Sequence, residues 1–283
     1  MWDTRINMAW TNPLLNLTVF SLGLSLELAI GASASAQSAT RVGSTPTSAP
    51  HQTWMVSRFN PPDRGAPNTA VGGATRGTYC DVAVVDRVTP LMPKDSKDRY
   101  FGLTVADNPT FFWHSQGNPS ETVMFYLYEV DAASNETLLY EAPLNLPEEP
   151  GIVGFNLPPH LTLEAGKSYH WYVEMNCDDT GEVGTIVGWL DRVDADTHLD
   201  RRLRFALTPS AQSKIYAESG IWFDSLDTLA QARLTADSPE LAANWAALLE
   251  DDDVQLGNFA REPFLDCCRE AAELPDPRLT TQN

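Results

Sequence analysis

One segment in the second half of the chain constrains the fold more firmly than any other. Residues 168–177 read S-Y-H-W-Y-V-E-M-N-C, so large apolar side chains alternate with smaller or polar ones. Successive side chains of a β-strand point to opposite faces of its sheet. The segment therefore predicts a strand with one buried face, formed by Tyr169, Trp171, Val173, Met175 and Cys177. His170 lies on the opposite, wetter face, where a surface or interface role is expected.

Four more segments are strand candidates, namely residues 121–130, 137–144, 151–157 and 184–193. Clusters of turn-forming residues separate them, at 131–135 and at 164–167. Short strands at this spacing favour an antiparallel β-sandwich of about immunoglobulin size. We assign the sandwich to residues 98–195.

The pattern becomes helical after about residue 196. Thr208-Pro209 and Ser238-Pro239 each offer an N-cap followed by a proline at the first helical position. Residues 196–265 are therefore a helical region, and the fold class is α+β. Gly220 followed by Phe223 is similar to the turn of a tetratricopeptide hairpin, but one hairpin is fewer than a binding solenoid needs. We expect the apolar helix faces to pack on the sandwich.

The N-terminal residues are typical of an export signal. Residues 1–36 combine an early arginine, an apolar stretch and a run of small residues ending at Ala36. An uncleaved anchor is the alternative, but the apolar run is shorter than a spanning helix and is interrupted by Asn16 and Glu27. We expect a flexible tether at 37–57, a frayed tail at 266–283 and no spanning segment after signal removal. The protein is then exported to the periplasm or cell surface.

Residues 58–97 form a segment that we call the arm. Its first part reads F-N-P-P-D-R-G-A-P-N-T-A-V-G-G-A-T-R-G, which combines prolines that stiffen the backbone with glycines that allow sharp bends. We expect this first part, residues 59–77, to be neither strand nor helix, and the arm to be ordered, with Arg64 and Arg76 folded back onto carboxylates or carbonyls of the sandwich. Gly65 and Gly77 follow these arginines and complete the predicted docking set. The alternatives are a solvated linker or an arm bound to another molecule.

The four cysteines predict one disulfide. Cys80 follows the Arg-Gly motifs and Cys177 ends the best strand, and two distant cysteines in an exported protein most simply pair. Such a bond closes a loop of about 100 residues and stabilises by roughly 4 to 5 kcal/mol in the chain-entropy model. Cys267 and Cys268 are adjacent; they are free, paired with another chain, or exchange with the main bridge.

Standard catalytic motifs are missing from the sequence. It contains no G-x-S-x-G, H-E-x-x-H, Walker or G-x-G-x-x-G motif in a suitable context, and no cofactor is indicated. Acidic turns are the remaining candidates for calcium, although they lack EF-hand spacing. They comprise Asp178, Asp179 and Glu182 in one turn, and Asp191, Asp194 and Asp196 in another. A net charge of −19 disfavours nucleic acid as a partner.

Three motifs resemble a known family. They are F-x-P-P-x-R-G-A-P from Phe59, G-K-x-Y-H-W-Y from Gly166 and Y-A-E-x-G-I-W-F from Tyr216. The chain resembles the cyanobacterial family called domain of unknown function nine-two-eight over roughly residues 59–249. The resemblance implies an exported envelope protein of unassigned activity and supplies no catalytic residues.

Three functions are compatible with these observations. The first is a non-catalytic interaction module that binds protein or envelope polysaccharide. The second is an envelope carbohydrate-active hydrolase, in which Trp113, Trp171 and Trp189 are candidate sugar platforms, although the alternation places Trp171 in the core. The third is a structural subunit that assembles through its arm.

Overall fold

The computed structural model describes residues 58–67, 87–117, 122–176 and 183–267, which all belong to one compact unit. The signal and tether regions, Arg76, Gly77, Cys80, Cys177 and Cys268 lie outside these ranges, as do Asp178, Asp179 and Glu182. Eight strands precede four helices and a 3₁₀ turn. Their bounds are β1 Val88–Pro90, β2 Tyr100–Thr104, β3 Thr110–Ser115, β4 Thr122–Val130, β5 Glu136–Asn145, β6 Gly151–Asn156, β7 Ser168–Asn176, β8 Val183–Arg192, α1 Thr197–Phe205, α2 Pro209–Glu218, α3 Trp222–Ala236, α4 Pro239–Leu249 and the 3₁₀ turn Gly257–Phe259.

The strands form two sheets, as the α+β sandwich requires. A three-stranded sheet has the order β1-β3-β6 and a five-stranded sheet the order β2-β8-β7-β4-β5. The predicted strands agree with β4 to β8 to within about a residue at each end. The expectation of an antiparallel sheet is wrong at one edge, because β2 pairs in parallel with β8. The last part of the arm, after the Arg-Gly motifs, contains β1, which pairs with β3.

Alternation decides which side chains of β7 reach the core. Tyr169, Trp171, Val173 and Met175 are buried in a cluster shared by both sheets. Phe111 of β3 contacts both the five-stranded sheet and α3. Its ring centroid lies 5.1 Å from that of Phe125 of β4 and 5.5 Å from that of Phe223 of α3. Edge-on aromatic pairs of this kind add stability beyond the apolar area that they bury. The two sheets and α3 therefore share one core.

The helices begin where their caps predict. Thr208 accepts a hydrogen bond from the Ala211 amide at the start of α2, and Ser238 accepts one from the Leu241 amide at the start of α4. Trp222, Leu226 and Leu229 of α3 are buried in the core cluster of the sandwich. The helical region is thus packed on the sheets, as we expected. Four helices are present in the described residues, where the sequence indicated a hairpin and one further helix.

Candidate functional site

The first stretch of the arm, residues 58–67, docks on its own chain. Phe59 is buried with its ring centroid 5.2 Å from that of Trp222, and its amide donates to an Asp251 carboxylate oxygen at 3.2 Å. The Asn60 amide donates to the Ala217 carbonyl at 3.0 Å. Gly220 has φ +74°, and a Cβ there would lie 2.9 Å from the Asn60 carbonyl oxygen. A glycine is needed at that turn for both reasons.

A buried ion pair secures the other end of this stretch. Arg99 donates to the Asp95 carboxylate through Nε at 3.0 Å and Nη2 at 2.6 Å. The same guanidinium donates to the carbonyls of Ala66 at 2.6 Å and Pro67 at 2.7 Å. Burial opposes ionisation of Asp95, but hydrogen bonds from Arg99 and from the Lys97 amide outweigh it and lower the Asp95 pKa. Arg99 therefore joins the docked stretch 58–67 to the loop that precedes β2, which includes the last residues of the arm.

Gly65 serves this contact in a different way from the one expected. The left-handed glycines of the described chain are Gly117, Gly166 and Gly220, so Gly65 does not supply a positive φ. A Cβ at Gly65 would instead lie 2.6 Å from an Asp95 carboxylate oxygen. The residue is required for close approach of the arm backbone to the buried carboxylate.

Arg64 lies at the outer face of the five-stranded sheet. Its Nη1 is 3.5 Å from Oδ2 of Asp191 on β8, and its side chain is 52% exposed. Asp191 also accepts a 2.6 Å hydrogen bond from the Ser168 hydroxyl. Burial raises the pKa of Asp191, while the Ser168 hydrogen bond and the Arg64 charge act against that rise. An ion pair that is half exposed contributes little to stability.

Two adjoining cavities open beside the arm. One of about 470 Å³ lies between residues 61–65 and the loop 93–96, and another of about 540 Å³ lies between that loop and residues 253–256. Both are within the size range of small-ligand sites. Lys94 and Asp95 line both cavities. Both linings combine charges of both signs with aromatic residues, and the first also contains prolines, so neither cavity favours a particular chemical class of ligand.

Two of the three calcium candidates among the described residues have other partners. Asp196 caps α1 by accepting from the Leu199 amide at 2.7 Å, and Asp191 is engaged by Ser168 and Arg64. Asp194 is exposed in the loop before α1. Within the described ranges, no group of three His, Cys, Asp or Glu side chains is arranged to hold a metal ion. These three aspartates therefore act separately.

His170 is not the surface residue that alternation suggested. It is buried because its ring stacks on Trp189 with centroids 3.9 Å apart. Its Nδ1 lies 2.6 Å from a Glu136 carboxylate oxygen, and the Tyr172 hydroxyl is within 3.2 Å of both oxygens of that carboxylate. Burial lowers the His170 pKa against the opposing effect of Glu136. At neutral pH a neutral imidazole fits this position.

Asp224 and Asp227 of α3 are two carboxylates that line the same pocket. This pocket has a volume of about 170 Å³, smaller than typical ligand sites. Asp224 accepts from the Thr104 hydroxyl at 2.7 Å and the Val105 amide at 3.1 Å, while Asp227 accepts from the Thr110 hydroxyl at 2.8 Å. Burial raises the Asp224 pKa. The pair fastens α3 to β2 and β3.

The prediction that three tryptophans are sugar platforms is wrong. Trp113, Trp171 and Trp189 are all buried, so none offers an exposed ring face to a carbohydrate. Trp113 lies between the sheets near Phe125 and Phe155. Trp189 is covered by His170 and by the arm residue Ala66, which belongs to the same outer-face cluster. Burial of Trp171 confirms the placement that its alternation indicated.

The most exposed apolar surface lies where α1 turns into α2. Phe205 is 80% exposed and Leu207 is 90% exposed, and Arg201 and Arg204 are exposed beside them. We call these four residues the basic corner. A shallow, largely apolar depression of about 490 Å³ adjoins it, lined in part by Arg202, Ala211 and Ile215. Within the described chain, Arg201 and Arg204 have no ion-pair partner.

Sequence reasoning missed both the basic corner and the Asp95–Arg99 pair. The run R-R-L-R-F-A-L at 201–207 concentrates three of the 19 basic residues of an acidic chain, and this charge pattern could have identified the corner. The segment D-S-K-D-R at 95–99 reads as an ordinary charged loop, so it gave no comparable signal.

Cys267 is the cysteine that lies within the described residues. It is not a free thiol, and it packs against the edge of the shared core. Its three possible partners in the chain are Cys80, Cys177 and Cys268, which lie outside the described ranges. The pairing of Cys80 with Cys177 stays a prediction.

The fold and its contacts define a β-sandwich protein with a helical region packed on the shared core. The chain belongs to the family described as Domain of Unknown Function (DUF928), which matches residues 71–264, more than half of its length. The match begins after the docked stretch 58–67 and includes the segment after α4, so its bounds differ from those of the resemblance seen in the sequence. No curated protein matches the chain. Within the described residues, no helix has the length and apolar character to cross a membrane.

Proposed function

We propose that this protein is an exported cell-envelope interaction module that binds another protein through its basic corner. The observation that carries the proposal is the exposure of Phe205 and Leu207, at 80% and 90%. Adjacent large apolar side chains that project into solvent characterise binding surfaces, because exposing them in a free monomer is unfavourable. The flanking arginines add charge that an interface can use for orientation.

The depression beside the corner favours a protein partner. It lies between α1 and α2 and is bordered by Phe205, Ala206 and Ile215. A concave apolar site accommodates an inserted side chain, which is how interface anchors bind. Export to the periplasm or cell surface is supported by the signal-like residues 1–36 and places the partner in the envelope.

Site-specific photo-crosslinking tests this proposal. A photo-reactive residue at position 207 should give a protein adduct in intact cells. Position 234 is the matched control, because Leu234 is also a large exposed apolar residue, at 58%, but belongs to α3. The Phe205→Ser variant should weaken the adduct at 207. Equal adducts at 207 and 234, or none at 207, would overturn the proposal.

A further inference from the structure

The outer face of the five-stranded sheet carries a second surface of distinctive chemistry. Tyr126 and Tyr128 of β4 and Tyr172 of β7 lie there with Glu136 and Glu141 of β5 and Glu174 of β7, and we call these six residues the tyrosine–glutamate face. The pairing register places them on one side of the sheet: Tyr126 lies opposite both Tyr172 and Glu141. Directly paired residues of adjacent strands share a face.

This face is left largely uncovered by the rest of the described chain. The three tyrosines are half-buried, Glu136 and Glu141 are exposed, and Leu138, which pairs with Tyr128, is 45% exposed. The helices and the arm cover the other half of the sheet through Leu199, Ile221 and Ala66. The sheet therefore presents a flat aromatic surface beside the part that the helices protect.

The charge of this face has one sign. Within the described residues, Glu141 and Glu174 have no ion-pair partner, and Glu136 lies beside His170, whose imidazole is neutral at neutral pH. The register places Glu141 opposite Tyr126 and Glu174 opposite Met124, two positions from Tyr126 on the same face. Burial first, and then these neighbouring carboxylates, raise the pKa values of Tyr126 and Tyr128. Tyrosine rings beside carboxylates are a favourable setting for guanidinium groups, which stack on aromatic faces and pair with acidic oxygens.

The same chain carries the complementary surface. The basic corner combines two unpaired arginines with the two most exposed large apolar side chains of the described residues. Arg201 and Arg204 are three positions apart in α1, so they project from adjacent places on that helix. If the basic corners of two copies met, their like charges would repel each other. If the basic corner of one copy meets the tyrosine–glutamate face of another, opposite charges pair and apolar groups come into contact.

We propose that the chain associates with a second copy of itself by seating the basic corner of one copy on the tyrosine–glutamate face of the other. Arg201 and Arg204 pair with Glu141 and Glu174, while Phe205 and Leu207 pack on the tyrosine rings and Leu138. The two surfaces differ, so the contact either forms twice, reciprocally, about a two-fold axis or joins copies head to tail. The first arrangement is a dimer, and the second is a ring or a longer assembly. This inference rests on the proposed function, because it names the partner of the corner.

Sedimentation of the purified full chain tests the inference. At about 100 µM and low salt, the mean mass should rise to at least that of a dimer, and about 0.5 M salt should reduce it because screening weakens exposed charge pairs. Arg201→Glu/Arg204→Glu and Glu141→Arg/Glu174→Arg should each weaken association at least about tenfold. A mixture of the two charge-reversed variants should associate again, since each reversed surface then finds an opposite one.

Glu148→Arg/Glu149→Arg is the matched control, because both residues are exposed in the β5–β6 loop and the change in net charge is the same as in the face variant. It should associate like the parent chain. Melting temperatures must show that every variant is folded. A monomer at low salt, or a mixture of reversed variants that stays monomeric, would overturn the inference. If position 207 then still crosslinks to a different protein, the proposed function stands without self-association.

Discussion

Replacing Arg99 by methionine should release the arm and destabilise the whole unit. The guanidinium makes four short hydrogen bonds, two to Asp95 and one each to the carbonyls of Ala66 and Pro67. Methionine keeps much of the side-chain length but supplies none of these donors. Among the described residues, the buried Asp95 charge would then keep only backbone amides as partners.

The expected loss of stability follows from the burial of both Arg99 and Asp95. Breaking a buried ion pair by removing one member costs about 3 to 5 kcal/mol, because the remaining charge is uncompensated. For a unit of this size, that corresponds to a fall in melting temperature of about 6 to 20 °C. Arg64→Ala in the same arm should cost about 0 to 1 kcal/mol, because Arg64 is 52% exposed and lies 3.5 Å from Asp191.

Chemical denaturation measures the loss of stability, and limited proteolysis measures the release of the arm. Arg99→Met should lower the free energy of unfolding and expose residues 58–67 to proteases, whereas Arg64→Ala should do neither to a large degree. Adding Asp95→Asn to Arg99→Met should recover part of the loss, since the unpaired charge is then removed. The free energy of unfolding of Arg99→Met is the deciding quantity. If it lies within about 1 kcal/mol of the parent value, the pair contributes no more than a surface ion pair, and the reasoning about this buried pair is wrong.

Three further predictions concern export, the disulfide and pH. N-terminal sequencing of envelope material should find Gln37 first; a mature chain that retains Trp2 would contradict cleavage. Disulfide mapping should find Cys80 bonded to Cys177, and Cys80→Ser should cost about 2 to 5 kcal/mol, whereas a bond from Cys267 to either residue would show another pairing. Burial lowers the pKa of His114 and His170 below the ordinary 6.5, so the unfolded chain binds more protons below that pH. Stability should therefore fall as the pH drops from 6.5 through the lowered values, and His170→Gln should reduce the slope; an unchanged slope would exclude a contribution from His170.

The sequence predicted the elements whose signals are local. The alternation in residues 168–177 identified β7 and its buried face, and Thr208-Pro209 and Ser238-Pro239 identified the starts of α2 and α4. These signals depend on side-chain direction within a strand and on hydrogen bonds within one helical turn, so neighbouring residues contain all the information. The packing of the helices on the sandwich followed from their apolar faces.

Tertiary structure decided what depends on residues far apart in the chain. The parallel pairing of β2 with β8 joins segments about ninety residues apart, and alternation within either segment cannot reveal it. His170 is buried although its strand face reads as wet, because Trp189 of a neighbouring strand stacks on it. Trp113 and Trp189 are buried for the same kind of reason, since their surroundings come from other elements, whereas the alternation in β7 already indicated the burial of Trp171.

The basic corner and the tyrosine–glutamate face also depend partly on sequence and partly on tertiary structure. The sequence by itself determined the residue types, including the arginine run of α1 and the acidic character of the chain. Only the folded chain showed that Phe205 and Leu207 stay exposed, and that tyrosines and glutamates from three strands share one uncovered face. Exposure and the pairing of distant residues are properties of the packed chain, because each depends on which other elements cover a side chain.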